Sequence, residues 1–191
     1  MNKHIYCRII LGVMLSLVLF SCKKYLDKKP DNLLTEDQLW QTKANAEAYL
    51  ELGLTYIKSG RNDEAIDALK KAILIKPDFA AAHFTLGLAY YELHRNDEAI
   101  YAFNQAIRFL PDDAVAHLVL GMVYAEEGRN DEAVEAYKQA ILIKPDFATA
   151  HFVLALSYLD IGDKGSALAE YKILMSLDQD LAGQLFSRIY K

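Results

Sequence analysis

The chain is poor in the residues that staple or break a fold. Its 191 residues include two cysteines, four prolines, nine glycines and one tryptophan. Two cysteines are too few for a disulfide scaffold or a cysteine-rich structural zinc site. So few prolines and glycines exclude the many tight turns of an all-β sandwich. Positive charge is also short: 21 Lys and Arg face 26 Asp and Glu, a net charge of −5. A nucleic-acid binder carries a basic footprint, so no nucleic-acid partner is expected. No Gly-rich phosphate loop, G-x-S-x-G or H-E-x-x-H string occurs. Acid pairs such as Asp63-Glu64 and Glu126-Glu127 fall at expected helix ends, where solvated caps account for them. The chain is therefore read as a non-enzyme that needs no cofactor. What is plentiful is apolar: 53% of residues are hydrophobic, a globular composition at one domain's length.

The one long apolar run lies at the start. Lys3 and Arg8 precede Ile9–Phe20, twelve residues without charge. As a helix that run measures about 18 Å, short of a bilayer core of ~30 Å. It suits a signal-peptide core, not a membrane span. The run ends in Leu19-Phe20-Ser21-Cys22. That string resembles the bacterial lipobox, with Phe20 where a small residue is more usual. The resemblance implies cleavage after residue 21, lipidation of Cys22 and anchoring in the outer membrane of the cell envelope. An ordinary signal peptide with an incidental cysteine is the alternative. Loss of residues 1–21 removes Lys3 and Arg8 and no acid, so the charge moves from −5 to −7. Acyl chains, at roughly 0.8 kcal/mol per buried CH₂, anchor a protein despite such a charge.

Residues 22–45 read as a tether with a short helix. Pro30 and its polar neighbours suggest extended chain, and Thr35-Glu36-Asp37-Gln38 is a capping-box pattern that would start a helix carrying Leu39 and Trp40. The order Ser21-Cys22-Lys23-Lys24-Tyr25-Leu26-Asp27, Pro30, Leu34-Thr35-Glu36-Asp37, Trp40, Thr42 and Ala46-Glu47-Ala48 resembles the start of SusD/RagB-type lipoproteins. Those are glycan-binding partners of TonB-dependent transporters. The resemblance covers about thirty residues and implies export. It makes a TonB-dependent transporter a candidate partner, although the family's sugar-binding body has no counterpart here.

From residue 46 the chain repeats itself. AILIKPDFA occurs at Ala72–Ala80 and again at Ala140–Ala148, and GRNDEA at Gly60–Ala65 and Gly128–Ala133. Arg95-Asn96-Asp97-Glu98-Ala99 lies midway, which sets the period at 34. Copies 46–79, 80–113, 114–147 and 148–181 align, and residues 182–191 read as a closing helix. Leu52, Leu86, Leu120 and Leu154 form one column, and Tyr56, Tyr90, Tyr124 and Tyr158 another. Gly53, Gly87 and Gly121 align with Ala155, and Leu69, Phe103 and Tyr137 with Tyr171. Pro77, Pro111 and Pro145 end three copies, and Gln179 stands in the fourth proline's place. Small residues fit where two helices cross, and large ones fill the space beside them. Gly60, Gly128, Gly162 and His94 occupy the turn that needs positive φ, and Asn62, Asn96 and Asn130 suit N-caps.

This pattern is similar to the tetratricopeptide repeat, in columns and in length. The resemblance implies an all-α fold: a right-handed superhelical solenoid of four helical hairpins with a C-terminal capping helix. It also implies protein–protein interaction through a concave groove lined by the first helices. Groove-facing residues follow column by column: Leu50, Leu54 and Ile57; Phe84, Leu88 and Tyr91; Leu118 and Met122; Phe152, Leu156 and Leu159. An apolar trough with an acidic edge suits an amphipathic or apolar segment, not a peptide's terminal carboxylate. The trough can also be filled by the protein itself, through the segment around Leu39 and Trp40 or through a second copy. His83, His117 and His151 share one column. Equivalent points on stacked helices lie ~8–10 Å apart, too far for two of them to ligate one zinc ion, so they read as packing residues.

Overall fold

A computed structural model describes residues 46–190, which form nine helices and, among those residues, no strand. The apolar run, Cys22 and the tether lie outside the described residues. Four helices of thirteen residues are α1 (Ala46–Lys58), α3 (Ala80–Glu92), α5 (Ala114–Glu126) and α7 (Ala148–Asp160). Each is followed by one of fourteen: α2 (Asn62–Ile75), α4 (Asn96–Phe109), α6 (Asn130–Ile143) and α8 (Lys164–Leu177). The closing helix is α9 (Gln179–Ile189). Each thirteen-residue helix packs on its own partner and, from α3 onward, on the partner of the preceding copy, as a solenoid requires.

One backbone device turns the chain inside every hairpin. Gly60, Gly128 and Gly162 have φ of 72°, 75° and 82°, and His94 takes the same left-handed form at 57°. The following amides reach back to the tyrosine column: Arg61 N to Tyr56 O at 2.9 Å, Arg95 N to Tyr90 O at 3.0 Å, Arg129 N to Tyr124 O at 2.9 Å and Asp163 N to Tyr158 O at 2.8 Å. These bonds satisfy carbonyls that a helix end leaves unpaired.

The helix starts differ from the sequence expectation. Asn62, Asn96 and Asn130 are first helical residues, not caps. The capping positions hold Arg61, Arg95 and Arg129, with no side-chain cap bond. Each arginine instead donates from Nε to Glu64, Glu98 or Glu132 at 2.9 Å and lies 4.4–4.6 Å from the ring centre of Tyr56, Tyr90 or Tyr124. The asparagine amide is put to another use: Asn96 Nδ2 donates to Glu127 in the next copy.

The joints between copies depend on proline. Lys76, Leu110 and Lys144, the residues before Pro77, Pro111 and Pro145, have φ of −131°, −137° and −130° with ψ of 80–90°. A following proline keeps such residues out of the α region. The histidine column secures each joint from below: Nε2 of His83, His117 and His151 donates to the carbonyl of Pro77, Pro111 and Pro145 at 2.9, 3.0 and 2.9 Å. A carbonyl has no proton to give, so Nε2 carries the hydrogen.

The core runs the length of the array. Ala65, Ala99, Ala133 and Ala167 are fully buried, and Leu69, Phe103 and Tyr137 with them. A Cβ added at Gly53, Gly87 or Gly121 would come within 2.6–2.7 Å of those three side chains, closer than real atoms approach. Hydrogen alone leaves room for the larger side chain, which is why three copies need glycine there. Ala155 takes this place in the fourth copy, and Tyr171 is half-buried, its ring 5.8 Å from that of Phe186 in α9.

The closing helix starts at Gln179, three residues earlier than the expected 182. Asp178 ends α8 in an extended form and caps α9 at once, accepting from the amides of Asp180 and Leu181 at 3.0 Å each. Without a proline, the joint shrinks to one residue. Ala182, Leu185 and Ile189 of α9 are buried against α7 and α8.

Candidate functional site

The inner row is formed by α1, α3, α5 and α7. Successive members touch: α1 packs on α3 and α5 on α7, and Tyr91 of α3 bonds Glu126 of α5. The sequence period repeats the same positions in each of the four helices. Phe84, Leu88 and Tyr91 come from α3, Leu118 and Met122 from α5, and Phe152, Leu156 and Leu159 from α7, with Leu50, Leu54 and Ile57 from α1. All eleven therefore belong to one row.

Their exposure is not uniform. Leu50 and Leu54 at one end, and Leu156 and Leu159 at the other, are half-buried. The centre is closed to water: Leu118 and Met122 are 0% exposed, Phe152 is 2% and Leu88 is 3%. Ile57, Phe84 and Tyr91 are also buried. Leu88, Leu118 and Met122 of α3 and α5 are thus closed to water, whereas each end helix keeps two half-exposed leucines beside a buried Ile57 or Phe152.

Polar groups sit at the C-terminal ends of the inner helices, where Lys58, Glu92, Glu126 and Asp160 follow one another. The Tyr91 hydroxyl donates to Glu126 Oε1 at 2.6 Å, which ties α3 to α5 at this edge. Three glutamates on the outer helices, Glu64, Glu98 and Glu132, are held below the ordinary carboxylate pKa, chiefly by hydrogen bonds from Arg61, Arg95 and Arg129. They lie away from the row and leave it apolar.

One buried polar pair was not foreseen. His151 Nδ1 lies 2.6 Å from Glu170 Oε2, while its Nε2 bonds Pro145. The signal was in the repeat: Glu170 stands where Ala68, Ala102 and Ala136 stand in the other copies. Among the described residues, no group of three or more His, Cys, Asp or Glu is arranged to hold a metal ion. No described helix is long and apolar enough to cross a membrane.

The TPR repeat family model matches residues 53–94, 87–128 and 121–162, more than half of the chain. The chain belongs to the tetratricopeptide repeat family. Members are generally non-catalytic and serve protein interaction. Among solved structures, MamA is similar, with 33% identity over 77% of this chain and 86% of that one, and a TM-score of 0.71. TTC0263, a thermophilic TPR protein of Thermus thermophilus, has 28% identity over 82% of this chain and 87% of that one, with a TM-score of 0.64. A chain of the APC/C hetero-tetramer Cut9–Hcn1 has the same fold at 21% identity and a TM-score of 0.68, over 77% of this chain and 30% of that one. No curated protein matches the chain. The tetratricopeptide array is therefore the part of the chain with recognisable relatives, and the inner row is its candidate interaction surface.

Proposed function

We propose that the chain is a lipid-anchored adaptor of a bacterial cell envelope, held in the outer membrane through Cys22, whose inner row takes an apolar or amphipathic segment of another protein. The groove reading is supported by eleven apolar side chains that recur at equivalent positions of four helices, with Leu50, Leu54, Leu156 and Leu159 half-exposed. Apolar surface that a repeat array leaves accessible is surface that a partner can cover. The anchor reading rests on the sequence alone, in Lys3, Arg8, Ile9–Phe20 and Cys22. A role beside a TonB-dependent transporter rests on residues 21–48 alone, and the family match begins only at residue 53.

The half-exposed ends are the right places for a test, because a charge forced into the closed centre would unfold the array. Leu54→Glu and Leu156→Glu should each reduce recovery of cross-linked partners while helix content by circular dichroism stays unchanged. Equal recovery from wild type and both variants would defeat the groove reading. For the anchor, Cys22→Ala should abolish incorporation of labelled fatty acid and move the protein to the soluble fraction. Unchanged labelling and fractionation would defeat that reading.

A further inference from the structure

We propose that the edge formed by the joints between copies docks on the same edge of a second copy of this chain. The proposal goes beyond the groove and the anchor and uses neither. The first observation is where exposed apolar side chains gather. A large apolar residue gains by burial, yet Leu74 and Leu142 are each 73% exposed and Leu110 is 50%. Ile75, Met175 and Leu177 are exposed with them. All six lie in the last turn of α2, α6 or α8, or directly after α4. The hairpin turns at Gly60, His94, Gly128 and Gly162 stand at the other ends of the same helices, so the six mark a single edge of the array. Exposed apolar residues grouped in this way mark an interaction site.

The second observation is charge, which repeats with the joints. Each of the first three sets one cation and one carboxylate on either side of a proline: Lys76 and Asp78 about Pro77, Arg108 and Asp112 about Pro111, Lys144 and Asp146 about Pro145. All six charged residues are exposed. Lys76, Arg108 and Lys144 rest over the rings of Phe79, Phe109 and Phe147, at 4.8, 5.6 and 5.0 Å from the ring centres. A ring holds a cation in place without cancelling its charge. The ion pairs among the described residues use other side chains. Asp113 is taken up in capping α5, and the last joint, with Asp178 and Asp180 and no cation, does not repeat the pattern.

Two signs in equal number call for a partner that carries both. A surface of one sign, such as an anionic bilayer, would repel the aspartates as it attracted the cations. The edge itself supplies the match. Each cation stands at the end of an outer helix, and each aspartate lies toward the next inner helix. A two-fold axis along the edge lays one side over the other, so cation meets carboxylate at all three joints, as a self-complementary dimer requires. Beyond the aspartates, α3 and α7 start on small residues, Ala80 and Ala81 or Ala148 and Thr149, which leave room for Leu74 and Leu142 of the second copy.

Sedimentation of the full chain, in a detergent that keeps its apolar start dispersed, tests the edge. Wild type should pass from dimer to monomer on dilution through roughly the micromolar range, since a single edge makes a small interface. Lys76→Asp/Lys144→Asp and Asp78→Lys/Asp146→Lys should each weaken the dimer about tenfold, because like charges then meet, while helix content is kept. Mixed in equal amounts, these two variants should regain wild-type association, since each then faces the opposite charge. Leu74→Ser/Leu142→Ser should weaken the dimer several-fold. A wild type that stays monomeric at every concentration would overturn the proposal. So would a dimer that none of these variants weakens, or two charge variants that fail to recover on mixing. A monomer whose Lys76 and Lys144 are shielded from acetylation only on phosphatidylglycerol vesicles would also overturn it and assign the edge to a lipid surface. Fatty-acid labelling and partner recovery in Leu54→Glu are measured separately, so the anchor and the groove stand or fall on their own.

Discussion

The second and third copies differ from the fourth in how they make the same hairpin. Internal copies use one set of contacts: glycine under an aromatic ring, arginine over tyrosine and bonded to glutamate, proline at the exit. The fourth copy keeps the hairpin and replaces each part. Ala155 stands for glycine and Asp178 makes the exit. The Asp163 carboxylate caps α8 through the Ser166 amide at 3.0 Å and accepts from its hydroxyl at 2.6 Å. The reason lies in the neighbours. An internal hairpin meets another like itself on each side, so its contacts must be periodic. The fourth meets α9, which arrives sooner and shares only part of that surface.

The comparison can be broken at its centre. Phe103→Ala empties a fully buried site under Gly87 and should cost about 3–5 kcal/mol. Tyr171→Ala, at the half-buried equivalent, should cost clearly less. Urea unfolding of the two variants measures the gap, and equal losses would mean that the fourth copy is packed like the others. Next in size is Gly121→Ala, whose methyl would meet the Tyr137 ring at 2.6 Å. Alanine's helix propensity, about 1 kcal/mol better than glycine, does not offset overpacking of about 1–3 kcal/mol. The variant should melt lower than wild type.

Two smaller effects sharpen the contrast. Asp178→Ala removes the cap shared by the last joint and should cost about 0.5–2 kcal/mol, seen as faster amide exchange in α9. The three earlier joints each keep a proline, and Asp113 supplies α5 with a cap of its own, so exchange in α3 and α5 should be unchanged. The smallest effect concerns the arginine-bonded glutamates. Each has its folded pKa lowered by the arginine hydrogen bond, so its contribution is present above the ordinary carboxylate value of about 4.3 and is lost as pH falls through the lowered one. A Glu64→Gln/Glu98→Gln/Glu132→Gln variant should melt slightly below wild type at neutral pH and match it in acid. A gap that persists in acid would assign the effect to packing. Asp163 in the fourth copy has its pKa lowered by Ser166 instead and would be untouched by the triple change.

Much of the architecture could be read from columns of residues. Gly60, Gly128, Gly162 and even His94 were legible as turns, because left-handed backbone is demanded locally. The proline joints were legible for the same reason. The helix starts were not: Asn96 looks like a cap in the sequence, but the helix begins one residue earlier, with Arg95 at the capping position and the Asn96 amide turned to Glu127 of the next copy. The closing helix was placed three residues late because Gln179 was read as a missing proline, whereas Asp178 rebuilds the joint. Burial along the groove columns was not legible, since a sequence column says nothing of what lies opposite a side chain.

A 34-residue period, the small and large columns and the turn residues were set by the amino-acid order, because backbone sterics and side-chain size act within one hairpin. Which polar groups find partners between copies, where the last helix begins, and how deeply each first helix is buried, were decided by assembly. Those outcomes depend on surfaces brought together from distant parts of the chain, and no single hairpin contains both sides of the contact.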